Sequence, residues 1–409
     1  MSAAHALPIA AAPSDERLVK SAIVLAMIAF TVLDRFGLRI SADYAIPPAL
    51  VALYAVAAAL ILAGAAAVDL RGAAVFAALA GIGAASYLVN AASDPAPFVT
   101  LSSLLLLFAV YAPFVVRIRP GALSSDLWAW SARTYVTFAL LVAVAGIAQF
   151  LAQFAFQAQW LFDYTPLLPE ALRASGGWNT AYSTGDWTKS NGFFLREPSI
   201  FSVAMALGII CELAGARRKW ALAIMALGLV LSYSGSGLLC LGLALLFPLR
   251  RGLALRLAAV AVLIGAAYLA VGEALNLSYT LGRAGEIVHE GTSAHCRFVY
   301  PGAVALRELD SSPWASLLGH GPGTMVRMGA TCADGHQTTY AKVLFEYGLA
   351  GALALAAFLL FALGRGPAPL QLRIALGVTW LLLGGNLLDP AVVLLIYVLS
   401  AMWPDREGT

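Results

Sequence analysis

Apolar residues run in long blocks along this chain, and short polar stretches interrupt the blocks rather than alternating with them. Blocks of this kind point to helices that are apolar on every face. A helix that crosses the hydrocarbon layer needs about 20 such residues. The pattern predicts twelve spans, at 18–34, 45–68, 72–93, 98–116, 134–156, 197–214, 217–232, 236–250, 253–271, 340–363, 370–387 and 389–403. The run 217–250 is continuous except for Ser232-Tyr233-Ser234-Gly235-Ser236-Gly237, which predicts two helices meeting in a tight turn. The alternative, one long helix, gives eleven spans and inverts everything downstream. The expected fold is an all-α integral membrane protein, a polytopic bundle of about twelve transmembrane helices forming one domain over 1–409. Two long polar segments interrupt it, 157–196 and 272–339. The first twenty residues lack an apolar signal core with a small-residue cleavage site, so Leu18 is expected to open a retained span.

Composition removes the soluble alternatives. The chain has 409 residues, of which 61% are hydrophobic and only 11% are charged. Soluble domains carry about a quarter charged residues. The four Cys exclude a disulfide scaffold, and a net charge of +3 gives no electrostatic case for nucleic acid as a partner.

Charge placement orients the bundle. With the N-terminus (1–17) in the cytoplasm, Arg17, Lys20, Arg71, Arg117, Arg119, Arg217, Arg218, Lys219, Arg250, Arg251, Arg365 and Arg373 all fall inside. The short outer loops then hold only Arg35 and Arg39. Positive residues collect on the cytoplasmic side, so both termini, including 404–409, are expected there, and 157–196 and 272–339 lie outside. Four of the five His (His289, His295, His320, His336) occupy the second outer segment. Ionisable groups at a membrane mouth are functional candidates by default.

Gly192-Phe193-Phe194-Leu195-Arg196-Glu197-Pro198-Ser199 opens the sixth span. Pro198 suits a first helical turn, and Glu197 faces the positive end of the helix dipole. That describes either a plain helix start or a site in which Arg196 or Lys189 grips a phosphate and Glu197 handles a hydroxyl proton. Arg297 begins a helix-like segment running to Glu308, and Arg283 lies fourteen residues before it. A guanidinium fork fits phosphate oxygens; a solvated loop charge is the other reading. Leu318-Gly319-His320-Gly321-Pro322-Gly323 is either a tight connector or an anion nest of backbone N–H groups. His336, at the entry to the tenth span, suits acid–base work or helix capping. Trp178, Tyr182 and Trp187 offer flat faces to sugar rings, or anchor at the interface. The His and Cys spacings match no metal motif, so no metal and no cofactor are expected. Cys296 and Cys332 share one outer segment and pair as a disulfide or stay reduced.

These motifs, in this order, resemble the bacterial polysaccharide polymerase and O-antigen ligase family, and within it the polymerases of xanthan-type exopolysaccharide clusters. The similar parts are G-F-F-L-R-E-P-S before a span, S-x-S-G at 234–237, the Arg297 segment followed by G-H-G-P-G, and His336 followed by E-Y-G-L-A-G. They cover roughly 185–355, while the first five spans match only as hydrophobic helices. The resemblance implies a metal-independent, inverting glycosyltransferase of the bacterial inner membrane that uses a glycan on undecaprenyl diphosphate. It implies diphosphate contacts from Arg297 and from Arg196 or Lys189, a site role for His336, and a flippase and a chain-length regulator as partners. The family often has Arg where this chain has Lys189, and Lys cannot offer a bidentate fork.

The residues alone are consistent with that chemistry. Arginines stabilise a leaving diphosphate without a metal, and Glu197 or His336 is a base for the acceptor hydroxyl. The expected reaction moves a growing glycan from its lipid carrier to a new lipid-linked repeat unit at the periplasmic face. A ligase acting on a different acceptor is one alternative. A transporter or flippase is another, disfavoured because the spans are nearly free of charge.

Overall fold

The apolar blocks fold as helices, several of which end before the block does. A computed structural model of the chain describes residues 7–8, 15–40, 44–93, 98–156, 158–174, 183–184, 187–246, 285–328, 337–383 and 387–404. Eleven of the predicted spans fall on helices: α1 Glu16–Thr31, α2 Pro48–Leu62, α3 Leu70–Ser93, α4 Leu101–Tyr111, α5 Leu127–Ala152, α6 Pro198–Ala214, α7 Lys219–Leu231 and α8 Gly235–Leu246 come first. Four short helices follow, α9 Ser293–Phe298, α10 Tyr300–Leu309, α11 Pro313–Leu318 and α12 Thr324–Arg327. The last three are α13 Thr339–Leu363, α14 Leu370–Leu382 and α15 Pro390–Ile396. The expected span 253–271 lies outside the described residues. Among the described helices, α3, α5 and α13 are long and apolar enough to cross a membrane; the remaining apolar helices are shorter than 18 residues.

Several spans are shorter than expected, each for a local reason. The block 45–68 stops being helical after Leu62. Gly64 takes a φ of 66°, and the chain then forms a strand, Ala66–Val68, antiparallel to Val116–Ile118. Further two-residue strands pair at Leu38–Arg39 with Ala45–Ile46 and at Ser183–Thr184 with Trp187–Thr188. The 217–250 run is two helices, broken where Tyr233 takes a φ of 47°. There the N–H of Gly237 donates to Ser202 Oγ at 3.0 Å, and a Cβ on Gly237 would meet the Ser202 carbonyl oxygen 2.3 Å away. Only glycine lets α8 approach α6 this closely.

Successive long helices reverse direction, so the chain visits two ends in turn. One end is built around Asp69, just after the strand Ala66–Val68. Its carboxylate takes hydrogen bonds from Arg117 Nη1 at 2.8 Å and Arg365 Nη1 at 3.0 Å, and from the main-chain N–H groups of Arg71 and Gly72. Arg117 is buried and also donates to the carbonyls of Ala401 and Trp403. The start of α1 and the end of α15 lie at this end. Between the ends, an edge-to-face aromatic cluster fills the core: Phe358 lies 4.8 Å from Tyr111 and 4.9 Å from Phe114, and Phe114 lies 5.2 Å from Tyr397.

Burial pushes the Asp69 carboxyl up, but the hydrogen bond and charge of Arg117 and the two N–H donors outweigh it and hold the group below its ordinary value. A carboxylate whose pKa is lowered in the folded state stabilises fully above its unfolded pKa of about 3.9, and the contribution fades as pH falls through the lower folded value. Asp69→Asn leaves Arg117 buried without a compensating charge, a loss of about 3 kcal/mol or more. Thermal melts in detergent are expected to show a lower Tm for the variant at pH 7, with the gap to the parent closing in strong acid.

Candidate functional site

At the end opposite Asp69, a cavity of about 300 Å³ opens between α1, the start of α2, α6, α8, α14 and α15. Its depth is apolar, lined by Val203, Leu207 and Leu395, and its mouth carries Asp34, Arg196, Glu197, Arg297 and Asp389. Three of the sequence-predicted residues therefore meet at one opening, although Arg297 lies 100 residues beyond Glu197.

The segment 190–197 reaches this position through a buried polar network. Gln149 of α5 donates to Asn191 Oδ1 at 2.8 Å and to the Leu161 carbonyl at 2.6 Å. Its own oxygen accepts from Ser190 Oγ, Asn191 N and Phe193 N. Gly192 and Phe193 both take positive φ, so the loop turns sharply before Pro198 starts α6. Glu197 is the residue before that first turn, and its side chain makes no capping bond to the helix. It is buried, and its Oε2 accepts from Ser199 Oγ at 2.7 Å and lies 3.8 Å from Arg297 Nη2. The carboxylate is thus held for a partner other than the helix backbone. Arg297 sits in the last turn of α9, which Thr292 caps; the segment to Glu308 is two helices, α9 and α10, and Arg297 closes the first rather than beginning a continuous one.

Arg196 is gripped by Asp34, whose Oδ1 takes Arg196 Nη2 at 2.9 Å and Nε at 3.1 Å, while Oδ2 takes the Arg196 main-chain N–H at 2.9 Å. Asp34 and Asp389 escaped the sequence reading. The one signal for Asp34 was its place beside Arg35 in a short connection with few charges. Lys189 is buried and does not line the cavity, so of the two candidates for the diphosphate it is Arg196 that stands at the mouth. Trp187 also lies off the cavity, its ring packed with Phe150, Phe154 and Tyr233. Arg283, His336, Trp178 and Tyr182 lie outside the described residues. Cys296 is disulfide-bonded, and Cys211 and Cys240 are free and buried; Cys332 lies outside the described residues. Among the described residues, no group of three or more His, Cys, Asp or Glu converges to hold a metal ion.

The Gly-rich turn is a packing device. Gly319, Gly321 and Gly323 all take positive φ. The N–H groups of Gly319, His320 and Gly321 donate to the carbonyls of Ala315, Phe345 and Glu346, which leaves those three unavailable as an anion nest. The turn lies against a kink in α13, where Gly348 has φ 61° and ψ −159°. A Cβ on Gly319 would come within 2.4 Å of the Glu346–Tyr347 peptide, and one on Gly348 within 2.6 Å of the Leu317 carbonyl carbon. Below the turn, Lys342 pairs with Glu346 at 2.7 Å and with Gln337 at 3.0 Å, all three buried.

A family model described as WcaD colanic acid polymerase matches residues 23–403. The chain belongs to that family: it is a polysaccharide polymerase of the membrane, and its chemistry is glycosyl transfer. No curated protein and no solved structure matches it.

Alanine at Gly319 or Gly348 needs both a left-handed backbone and a backbone displacement. Each is expected to cut the yield of folded protein sharply in fluorescence-detected gel filtration. Gly242→Ala, where a Cβ meets nothing within 4 Å, is expected to behave as the parent does.

Proposed function

We propose that this polymerase joins repeat units at the periplasmic face of the inner membrane, moving the growing glycan from undecaprenyl diphosphate to a new lipid-linked repeat unit. The observation that carries the reading is the convergence of Arg196, Glu197 and Arg297 on one cavity with an apolar depth and a charged mouth. A lipid-linked diphosphate has that same division between an apolar tail and an anionic head.

In this reading the acceptor hydroxyl attacks the anomeric carbon from the face opposite the diphosphate, which inverts the configuration. The carbon–oxygen bond to phosphate breaks, the diphosphate leaves with the electron pair, and the hydroxyl proton passes to Glu197. Ser199 orients that carboxylate. Arg297, which has the looser of the two ion pairs at 3.8 Å, swings to the leaving diphosphate, with Arg196 behind it. Fixed cations of this kind stabilise developing charge and do the work a metal does elsewhere. His336 serves as a further acid–base group, Arg283 as a further diphosphate contact, and the aromatic residues Trp178 and Tyr182 as the approach for the glycan.

The same reading takes all twelve spans as transmembrane, with the Asp69 end and both termini cytoplasmic. The disulfide at Cys296, at the cavity end, suits an oxidising periplasm. A flippase supplies the repeat units and a chain-length regulator acts alongside.

In cells lacking their own copy of the gene, Arg297→Ala and Glu197→Gln are expected to lower polymer output by about 100-fold or more. Single lipid-linked repeat units should accumulate while the variant proteins stay at parental levels in the membrane. Parental polymer from either variant would remove that residue from the reaction.

A further inference from the structure

Arg196 is fixed from outside its own segment. The connection after α1 carries two adjacent charged residues that reach in different directions onto the residues before α6. Asp34 holds three nitrogens of Arg196 with one carboxylate: the main-chain N–H, Nε and Nη2. Arg35, whose side chain is fully buried, donates from Nη2 to the carbonyls of Leu195 at 2.7 Å and Phe162 at 2.8 Å. From Nη1 it donates to Asp163 at 2.9 Å and Thr165 at 3.2 Å. The dipeptide thus holds Leu195 by its carbonyl and Arg196 by its N–H and side chain, 160 and 162 residues away in sequence. Both Asp34 and Arg196 line the cavity, and their side chains are 5% and 13% exposed.

The geometry points to Asp34 as a positioning residue for the transfer reaction: it sets the direction of the Arg196 guanidinium at the cavity mouth and the register of Glu197 beside it. The inference rests on the reading of the cavity as the site of glycosyl transfer. Side-on binding through Nε and Nη2 fixes the plane of the guanidinium, whereas a single bond to one nitrogen leaves it free to rotate. The bond from Oδ2 to the main-chain N–H then ties that plane to the backbone at the start of α6. Asparagine cannot reproduce the arrangement. It has one oxygen for three donors, and its amide NH₂ opposes an N–H or a guanidinium.

The test is a double-mutant cycle on the full-length purified protein, using lipid-linked repeat units isolated from cells that lack this chain. Asp34→Asn is expected to lower kcat by about 10- to 100-fold, the scale of a misplaced catalytic group. Its split between kcat and KM should follow that of Arg196→Gln. In the Arg196→Gln background, Asp34→Asn should cost no more than about twofold further, because it acts only through Arg196. Losses that multiply, or parental kcat in Asp34→Asn alone, would overturn the positioning role while leaving the cavity reading intact. Parental kcat in Arg196→Gln would overturn both Arg196 in the cavity reading and the role of Asp34. If Asp34→Asn does not accumulate, Asp34→Glu enters the cycle under the same criterion of non-additivity.

Discussion

Charge in a hydrocarbon-facing bundle must be paired or moved to an end, and this protein does both. An unpaired buried ion costs several kcal/mol, and among the described residues two of the buried charge clusters lie at opposite ends of the helices. At one end Asp69 draws together Arg117 and Arg365, and Arg117 goes on to the carbonyls of Ala401 and Trp403. This ties the paired strands Ala66–Val68 and Val116–Ile118, the residues after α13 and the residues after α15 into one knot. At the other end the pairing is uneven. Asp34 and Arg196 form a tight fork, while Glu197 and Arg297 stand 3.8 Å apart at the cavity mouth. The first cluster holds the bundle together, and the second lies along the lining of the cavity.

The glycine-rich motifs belong to the same economy of space. The G-H-G-P-G turn and the E-Y-G-L-A-G stretch look like separate signatures, yet their backbones pack on each other. Gly319 contacts the Glu346–Tyr347 peptide, and Gly348 contacts the Leu317–Gly319 backbone. Asn90 and Ser86 of α3 secure the contact through the carbonyls of Gly319 and Glu346. This joint fixes the helices that follow Arg297 relative to α13 and α3. The motifs therefore act on the mouth of the cavity by holding the scaffold around it, without contributing their N–H groups to a ligand.

Hydropathy made the helices legible because a membrane helix is specified by one property over many residues. It could not show where φ changes sign. The kink at Gly348 is hidden because the apolar run continues across it, and the early end of α2 is hidden because Ala63–Val68 is as apolar as the helix before it. The stretch Arg196-Glu197-Pro198 stood out because charges beside a predicted span are rare. Asp34 and Asp389 did not: Asp34 sits in a short polar connection beside Arg35, and Asp389 reads as the helix cap that it is. Their importance comes from a long-range meeting with Arg196 and the cavity that no local pattern encodes. Lys189 and Arg196 were both open as candidates from the sequence; only the fold separates Arg196, which lines the cavity, from Lys189, which does not.

In the proposed reaction the chain itself forms glycosidic bonds between lipid-linked units. The direct measurement incubates the purified protein with isolated lipid-linked repeat units in the presence of a metal chelator, and follows glycan length and free lipid diphosphate together. The expected product is a ladder of lipid-attached oligomers, with one lipid diphosphate released for each bond formed. Absence of a ladder from folded protein, or a ladder that disappears with the chelator, would contradict that reaction.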